Sequence, residues 1–212
     1  MPVPTLAFRL RALAPMLALF FSLAPALAGC SSGSSSSTSA SESTPGASGF
    51  DGAALPGGIS APRFTLRDQT GAPVSLSTYR GRVVLVAFLY STCGAPCAVI
   101  AQQIRGALDE LGTRVPVLVI SADPEADTPA RVRRFLARVS LSGRALWLTG
   151  SPAQMRKVWQ AFRVLPASAG HVAFARSASV FLIDRAGRER VLFQLEQLTP
   201  EALSHDIRKL LG

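Results

Sequence analysis

With 212 residues, 48% of them hydrophobic and 17% charged, the chain is too apolar for disorder throughout and long enough for one domain with a real core. Its 22 Lys and Arg against 13 Asp and Glu give a formal charge of +9, but the excess is scattered. Only Arg131-Val132-Arg133-Arg134 forms a basic run, and it falls on one helix, so it reads as a solvated helix face and argues against a nucleic-acid partner.

In chain order, Arg9 and Arg11 precede an apolar stretch, 12–28, broken by Pro15 and Pro25, which has the form of a signal peptide and too few unbroken apolar residues to span a bilayer. It ends in Leu27-Ala28-Gly29-Cys30, which resembles the lipobox of bacterial lipoproteins, in which the cysteine is lipidated. Residues 31–49 are almost all Ser, Thr, Ala and Gly, and such a composition makes a flexible tether. The expected organisation is therefore a signal peptide at 1–29, a lipidated Cys30 with its tether at 30–49, and one domain at 50–212. The expected location is outside the cell membrane, lipid-anchored to a bacterial membrane and facing the periplasm or cell exterior.

Within 61–76 two short strand-like pieces flank Gln69-Thr70-Gly71, which reads as a hairpin. The apolar run 83–90 reads as a buried strand, 95–111 as a helix, and 115–121 as a second buried strand. Asp127-Thr128-Pro129 opens an amphipathic helix over 129–139, with Asp127 and Thr128 expected as its cap. A short strand at 145–148, a helix from 152 to about 162, a hairpin over 177–195 and a closing helix at 200–211 complete the pattern. Strands alternating with helices between two hairpins imply an α/β fold of thioredoxin-like arrangement, a mixed central sheet flanked by helices with an N-terminal hairpin. Phe88, Phe135, Trp147, Trp159, Phe162 and Phe181 are expected in its core.

With Cys30 assigned to lipid, the domain holds two cysteines, Cys93 and Cys97, in Ser91-Thr92-Cys93-Gly94-Ala95-Pro96-Cys97 where a strand hands over to a helix. Two soft sulfurs four residues apart can hold cuprous copper or cycle through a disulfide, and export places them in an oxidising compartment. The residues alone leave both open. Asp123 lies in the loop after the second buried strand, at the same sheet edge as the cysteines, where it can orient a neighbouring arginine or a partner.

The segments 61–66, 76–81 and 84–90, the Cys-x-x-x-Cys, Ser121-Ala122-Asp123-Pro124-Glu125-Ala126-Asp127-Thr128-Pro129, 148–151 and Phe181-Leu182-Ile183-Asp184 occur in the order of the Sco/SenC proteins, and the domain resembles that family. The resemblance implies a thioredoxin fold, copper bound by the two cysteines and a histidine, and a partnership with the copper-site subunit of cytochrome c oxidase or another thiol or copper protein. The sequence departs from the pattern at the histidine, whose position holds Arg176, and at Ala98, where the family has proline. Arginine offers no lone pair, so the resemblance leaves a two-sulfur site that favours the cuprous ion, with Arg176 close enough to offset its negative charge. His171, five residues upstream, is expected to be solvated, and His205 has no evident site role.

Two other readings stand beside copper handling. One is a membrane-tethered thiol-disulfide oxidoreductase that reduces partner cysteines without stable copper binding, in which an exposed Cys93 attacks and Cys97 resolves, the thiolate being favoured by the helix N-terminus and Arg176. Its ring is one residue wider than that of thioredoxin, and Ala178 stands nearest the place of the thioredoxin proline, so a general protein reductase is disfavoured. The other is a non-catalytic docking module with a structural disulfide, a weak staple because it encloses a short loop.

Overall fold

The structure is a computed structural model and describes residues 48–212; the expected signal peptide, Cys30 and nearly all of the tether lie outside the described residues. Among the described residues no helix is long and apolar enough to cross a membrane.

A six-stranded mixed sheet forms the centre, in the order β1 (Ala53–Ala54), β8 (Glu189–Gln194), β7 (Ser179–Ile183), β4 (Val84–Leu89), β5 (Val117–Ser121) and β6 (Ala145–Leu148). β4, β5 and β6 run parallel, and β7, β8 and β1 add antiparallel neighbours. Every residue of β4, β5 and β7 is buried, which is why these segments read as unbroken apolar runs without alternation. The expected N-terminal hairpin is present as β2 (Thr65–Arg67) and β3 (Pro73–Ser75), and it continues the sheet edge through paired backbone bonds between Arg67 and Thr149. Gln69 Oε1 also accepts the Trp147 amide at 2.8 Å, so the edge of β6 is covered.

Helices cover both faces. α1 (Ala95–Leu111) and α2 (Pro129–Arg138) are the crossovers β4–α1–β5 and β5–α2–β6, and right-handed connections put them on one face. Phe135 of α2 meets Trp147 edge-on at 5.5 Å on that face. Phe88 points the other way and packs at 5.2 Å against Phe162 of α3 (Pro152–Phe162), with Phe181 and Phe64 completing the cluster. The expected core aromatics are buried except Trp159, which is half-buried and donates its indole N–H to the Ser121 carbonyl at 2.9 Å. α5 (Pro200–Leu211) packs on α1, and Gly106 permits the approach, because a Cβ there would lie 2.9 Å from Pro200 Cγ.

Two elements depart from the expected pattern. The segment expected to begin a strand at 177 is first a short helix, α4 (His171–Ser177), with the strand starting at Ser179. The second is β1, two residues too short to leave a periodic signal. It is held by Asp206 of α5, a fully buried carboxylate that accepts the Asp51 and Gly52 amides at 2.9 Å each. His205, for which no role was expected, sits beside this anchor, with Nδ1 2.9 Å from Asp206 and 3.2 Å from Asp51.

Asp206→Ala leaves both amides without their acceptor. The expected loss is about 1.5–3 kcal/mol in urea unfolding, with earlier proteolysis around residues 50–54. A wild-type midpoint would show that β1 is not held this way.

Candidate functional site

β4 carries the chain to Tyr90, and the turn Ser91-Thr92-Cys93-Gly94 then feeds α1. Gly94 is the N-cap of α1 with φ of 78°, a conformation that a side chain would strain, and Pro96 occupies the first helical turn, where its missing N–H costs nothing. The two cysteines thus bracket a sharp helix entry, with Cys97 in the first turn. They are joined by a disulfide, Cα to Cα 5.7 Å. Cys97 is fully buried, and Cys93 keeps only 9% of its surface, so the expected exposed nucleophile is largely covered while the disulfide is closed. The covering follows from the turn itself, in which the Cys93 amide folds back onto the Tyr90 carbonyl at 3.2 Å.

The group that fixes this turn is Asp127, and here the sequence reading needs correction. Thr128 alone caps α2, by accepting the Arg131 amide. Asp127 is instead buried between three elements: Oδ1 accepts the Ser91 amide at 2.6 Å, and Oδ2 accepts the Ser121 hydroxyl at 2.5 Å and the Trp147 indole N–H at 3.2 Å. It therefore ties the entrance of the cysteine turn to the end of β5 and to β6. Burial pushes its carboxyl above the ordinary value of 3.8, and the hydrogen bonds from Ser121, Ser91 and Trp147 pull downward without cancelling it. The one side-chain signal was Ser121, a hydroxyl at the end of a buried strand; the Ser91 donor is a main-chain amide that any residue but proline would supply.

Asp123 is half-buried and spends Oδ1 on the Ala126 amide at 3.2 Å, turning the loop that delivers Asp127. The expected link to Arg176 is absent among the described residues. Arg176 lies exposed on α4 with no carboxylate partner among the described residues. His171, expected to be solvated, is exposed but tied: its Nδ1 lies 2.5 Å from the Tyr90 hydroxyl, the residue that precedes the cysteine turn. Tyr90 also meets Phe174 of α4 edge-on at 4.9 Å, and burial, then the charge of Asp123, raises its pKa above the ordinary 10.0. α4 is in this way fastened over the cysteine end of the sheet. Among the described residues, Asp51, His205 and Asp206 are the three-residue group of His, Cys, Asp or Glu whose donor atoms lie within 4.8 Å of one another; Cys93, Cys97 and His171 do not form one.

What the turn offers chemically is a pair of sulfurs within bonding reach at a helix N-terminus, whose partial positive charge favours thiolate. Reduced, the same pair is a soft two-donor set that suits cuprous copper.

Because Asp127 is raised in the folded state, folding binds its proton more tightly than the unfolded chain does. Its contribution is fully present below the unfolded value of 3.8 and is lost as pH rises through the folded value. Carboxyl NMR should give Asp127 a midpoint above 3.8, and Asp127→Asn should remove that part of the stability–pH curve. A midpoint at or below the ordinary value contradicts the burial argument.

Comparison with known proteins agrees with this architecture. The SCO1/SenC family profile matches residues 54–212. The SCO1 protein homolog of Bacillus subtilis is 30% identical over 82 residues, 37% of this chain and 42% of that relative, so the match spans less than half its length. The structure of Bradyrhizobium japonicum ScoI with copper bound superposes with a TM-score of 0.53 at 29% identity, covering 72% of this chain and 99% of that one. BsSco, a member of the Sco family of cytochrome c oxidase assembly proteins in which a disulfide switch has been identified, shares the fold with a TM-score of 0.60 at 22% identity, over 72% of this chain and 93% of its own. The thioredoxin-like sheet, the cysteine turn at its β4–α1 junction and the matched span make this chain a member of the SCO1/SenC family.

Proposed function

We propose that the chain is a membrane-tethered handler of cuprous copper that serves assembly of a cytochrome c oxidase copper site, with Cys93 and Cys97 as the sulfur donors. The observation that carries this reading is the pairing of the two cysteines at a helix entry in a chain of the SCO1/SenC family. The copper-bound ScoI relative and the oxidase-assembly role of BsSco support the cargo and the client class. Copper here is the substrate. The reduced pair would take it as two thiolates, and Arg176, exposed and without a carboxylate partner among the described residues, would offset the negative charge of that complex. With arginine at the family's histidine position no imidazole nitrogen is offered from that place, so the cupric ion is held less well.

Asp127 serves this chemistry indirectly, by holding the Ser91 amide and hence the path of the turn. Gly94 and Pro96 place Cys97 in the first turn of α1. The Leu27-Ala28-Gly29-Cys30 sequence supports a lipid anchor through Cys30, with residues 31–49 as the tether.

A second reading is favoured by the closed disulfide and by the unequal burial of its ends. With the pair reduced, the Cys93 thiolate, the sulfur with surface, would attack a partner disulfide, and one partner cysteine would leave as thiolate. Cys97 would then attack Cys93 Sγ in the mixed disulfide, release the second partner cysteine and close the Cys93–Cys97 bond. The partner disulfide is reduced, and this chain gives up two electrons and two protons.

Titrating the reduced protein with each copper ion separates the readings. Equimolar cuprous copper should be retained and lost in Cys93→Ser, cupric binding should be weak, and Arg176→His should gain it. Absence of Cys-dependent cuprous binding, with exchange against small disulfides intact, would leave the redox reading alone. For the anchor, Cys30→Ser should move the chain from the membrane to the soluble fraction; an unchanged membrane fraction removes the lipid from the account.

A further inference from the structure

β4, β5 and β6 are parallel, so the edge where they begin lies one strand length, roughly 16 Å, from the edge where the cysteines sit. Each of the three strands is entered past an arginine: Arg82 ahead of β4, Arg114 ahead of β5 and Arg144 directly ahead of β6. In the sequence they are three scattered basic residues. The parallel sheet brings them to the wall of one cavity of about 640 Å³, a volume within the range of small-molecule sites. Among the described residues they are its only charged lining residues, and no carboxylate is among them. The rest of the wall is mixed, with Gln69, Tyr79 and Thr113 beside the apolar Leu108, Pro116 and Leu146.

Three arginines on the wall outnumber the two carboxylates near it, Asp109 and Asp68, the latter close enough for its charge to act on Tyr79. Asp109, which is not part of the wall, binds both Arg105 and Arg144 at 2.6 Å, so Arg144 is already committed. α1 also ends here, and its last carbonyls add partial negative charge. Against these, Arg82 and Arg114 have no carboxylate partner among the described residues, and Arg82 lies over the Tyr79 ring at 5.8 Å, which holds its guanidinium on the wall. A concave site lined by one sign of charge concentrates its potential on what enters.

We propose that this cavity binds an amphipathic organic anion, its acidic head held by Arg82 and Arg114 and its apolar body set against Leu108, Pro116 and Leu146. The site is independent of the cysteine chemistry at the other end of the sheet. A soluble carboxylate and the headgroup region of an anionic lipid share this chemistry.

The test uses the full chain and two dyes with the same phenylnaphthylamine body, the sulfonate 1-anilinonaphthalene-8-sulfonate and neutral N-phenyl-1-naphthylamine. The sulfonate should bind saturably and weaken about tenfold in Arg82→Ala and in Arg114→Ala, with near-ultraviolet dichroism unchanged. Leu146→Trp, which fills the cavity without touching charge, should also displace it, and the neutral dye should respond to neither arginine. Displacement of the sulfonate by octanoate assigns a soluble anion, and displacement by phosphatidylglycerol vesicles alone assigns a lipid. Sulfonate binding that is unchanged by the arginine substitutions, matched by the neutral dye, or displaced by neither competitor overturns the proposal.

Discussion

One carboxylate, Asp127, holds together the end of the sheet at which the cysteine pair sits. It is buried at the ends of β4, β5 and β6 and accepts one donor from each: the Ser91 amide, the Ser121 hydroxyl and the Trp147 indole. A charge in that position is costly by itself, and burial does raise its pKa, but three donors from three elements recover much of the cost. The arrangement is directional in a way that apolar packing is not. Ser91 is two residues from Cys93, so the bond that satisfies the carboxylate also sets where the cysteine turn starts.

From that fixed point the site is built outward. Ser121 passes its carbonyl to Trp159 and its hydroxyl also meets the Asp123 amide, so α3 and the loop after β5 share the same frame. Ala122 bonds to Leu89 on one side and to Ala167 on the other, which brings the segment leading to α4 over the cysteine end. The Tyr90–His171 bond then fastens α4 itself. A turn held this firmly can keep two sulfurs in one place whether they are bonded to each other or apart. That property suits a thiol pair used as a metal donor set as well as one used for electron exchange.

The fold was legible to a large extent because its central strands are continuous apolar runs and its helices open on strong signals, Thr128-Pro129, Ser151-Pro152 and Thr199-Pro200. β1 was not legible, since two residues carry no period and its register comes from Asp206, more than 150 positions away. α4 was hidden by the apolar residues that run on into β7, and a helix this short relies on tertiary packing, here of Phe174 against Tyr90. At the site, Cys93 and Cys97 could be picked out by spacing. The burial of Cys93 could not, because the Tyr90 carbonyl that turns the chain back is a main-chain group with no sequence signature. Asp127 looked like a helix cap because Asp before Thr-Pro is a local cap pattern, and the local reading competes with a tertiary one that leaves no trace in the adjacent residues.

By itself the sequence determined the thioredoxin-like order of elements, the cysteine pair at a strand-to-helix junction and Arg176 at the position for which the Sco/SenC resemblance implies a histidine. These are local matters: apolar periodicity, capping chemistry and residue identity. Only the tertiary structure decided what the polar residues do. It turned Asp127 from a cap into a hub, gave His171 to Tyr90 and His205 to a buried aspartate, and brought Arg82, Arg114 and Arg144 to one cavity. The physical reason is that a polar group takes the partner that the packed backbone puts within hydrogen-bonding distance, and that partner is chosen by sheet register and crossover geometry across long stretches of chain.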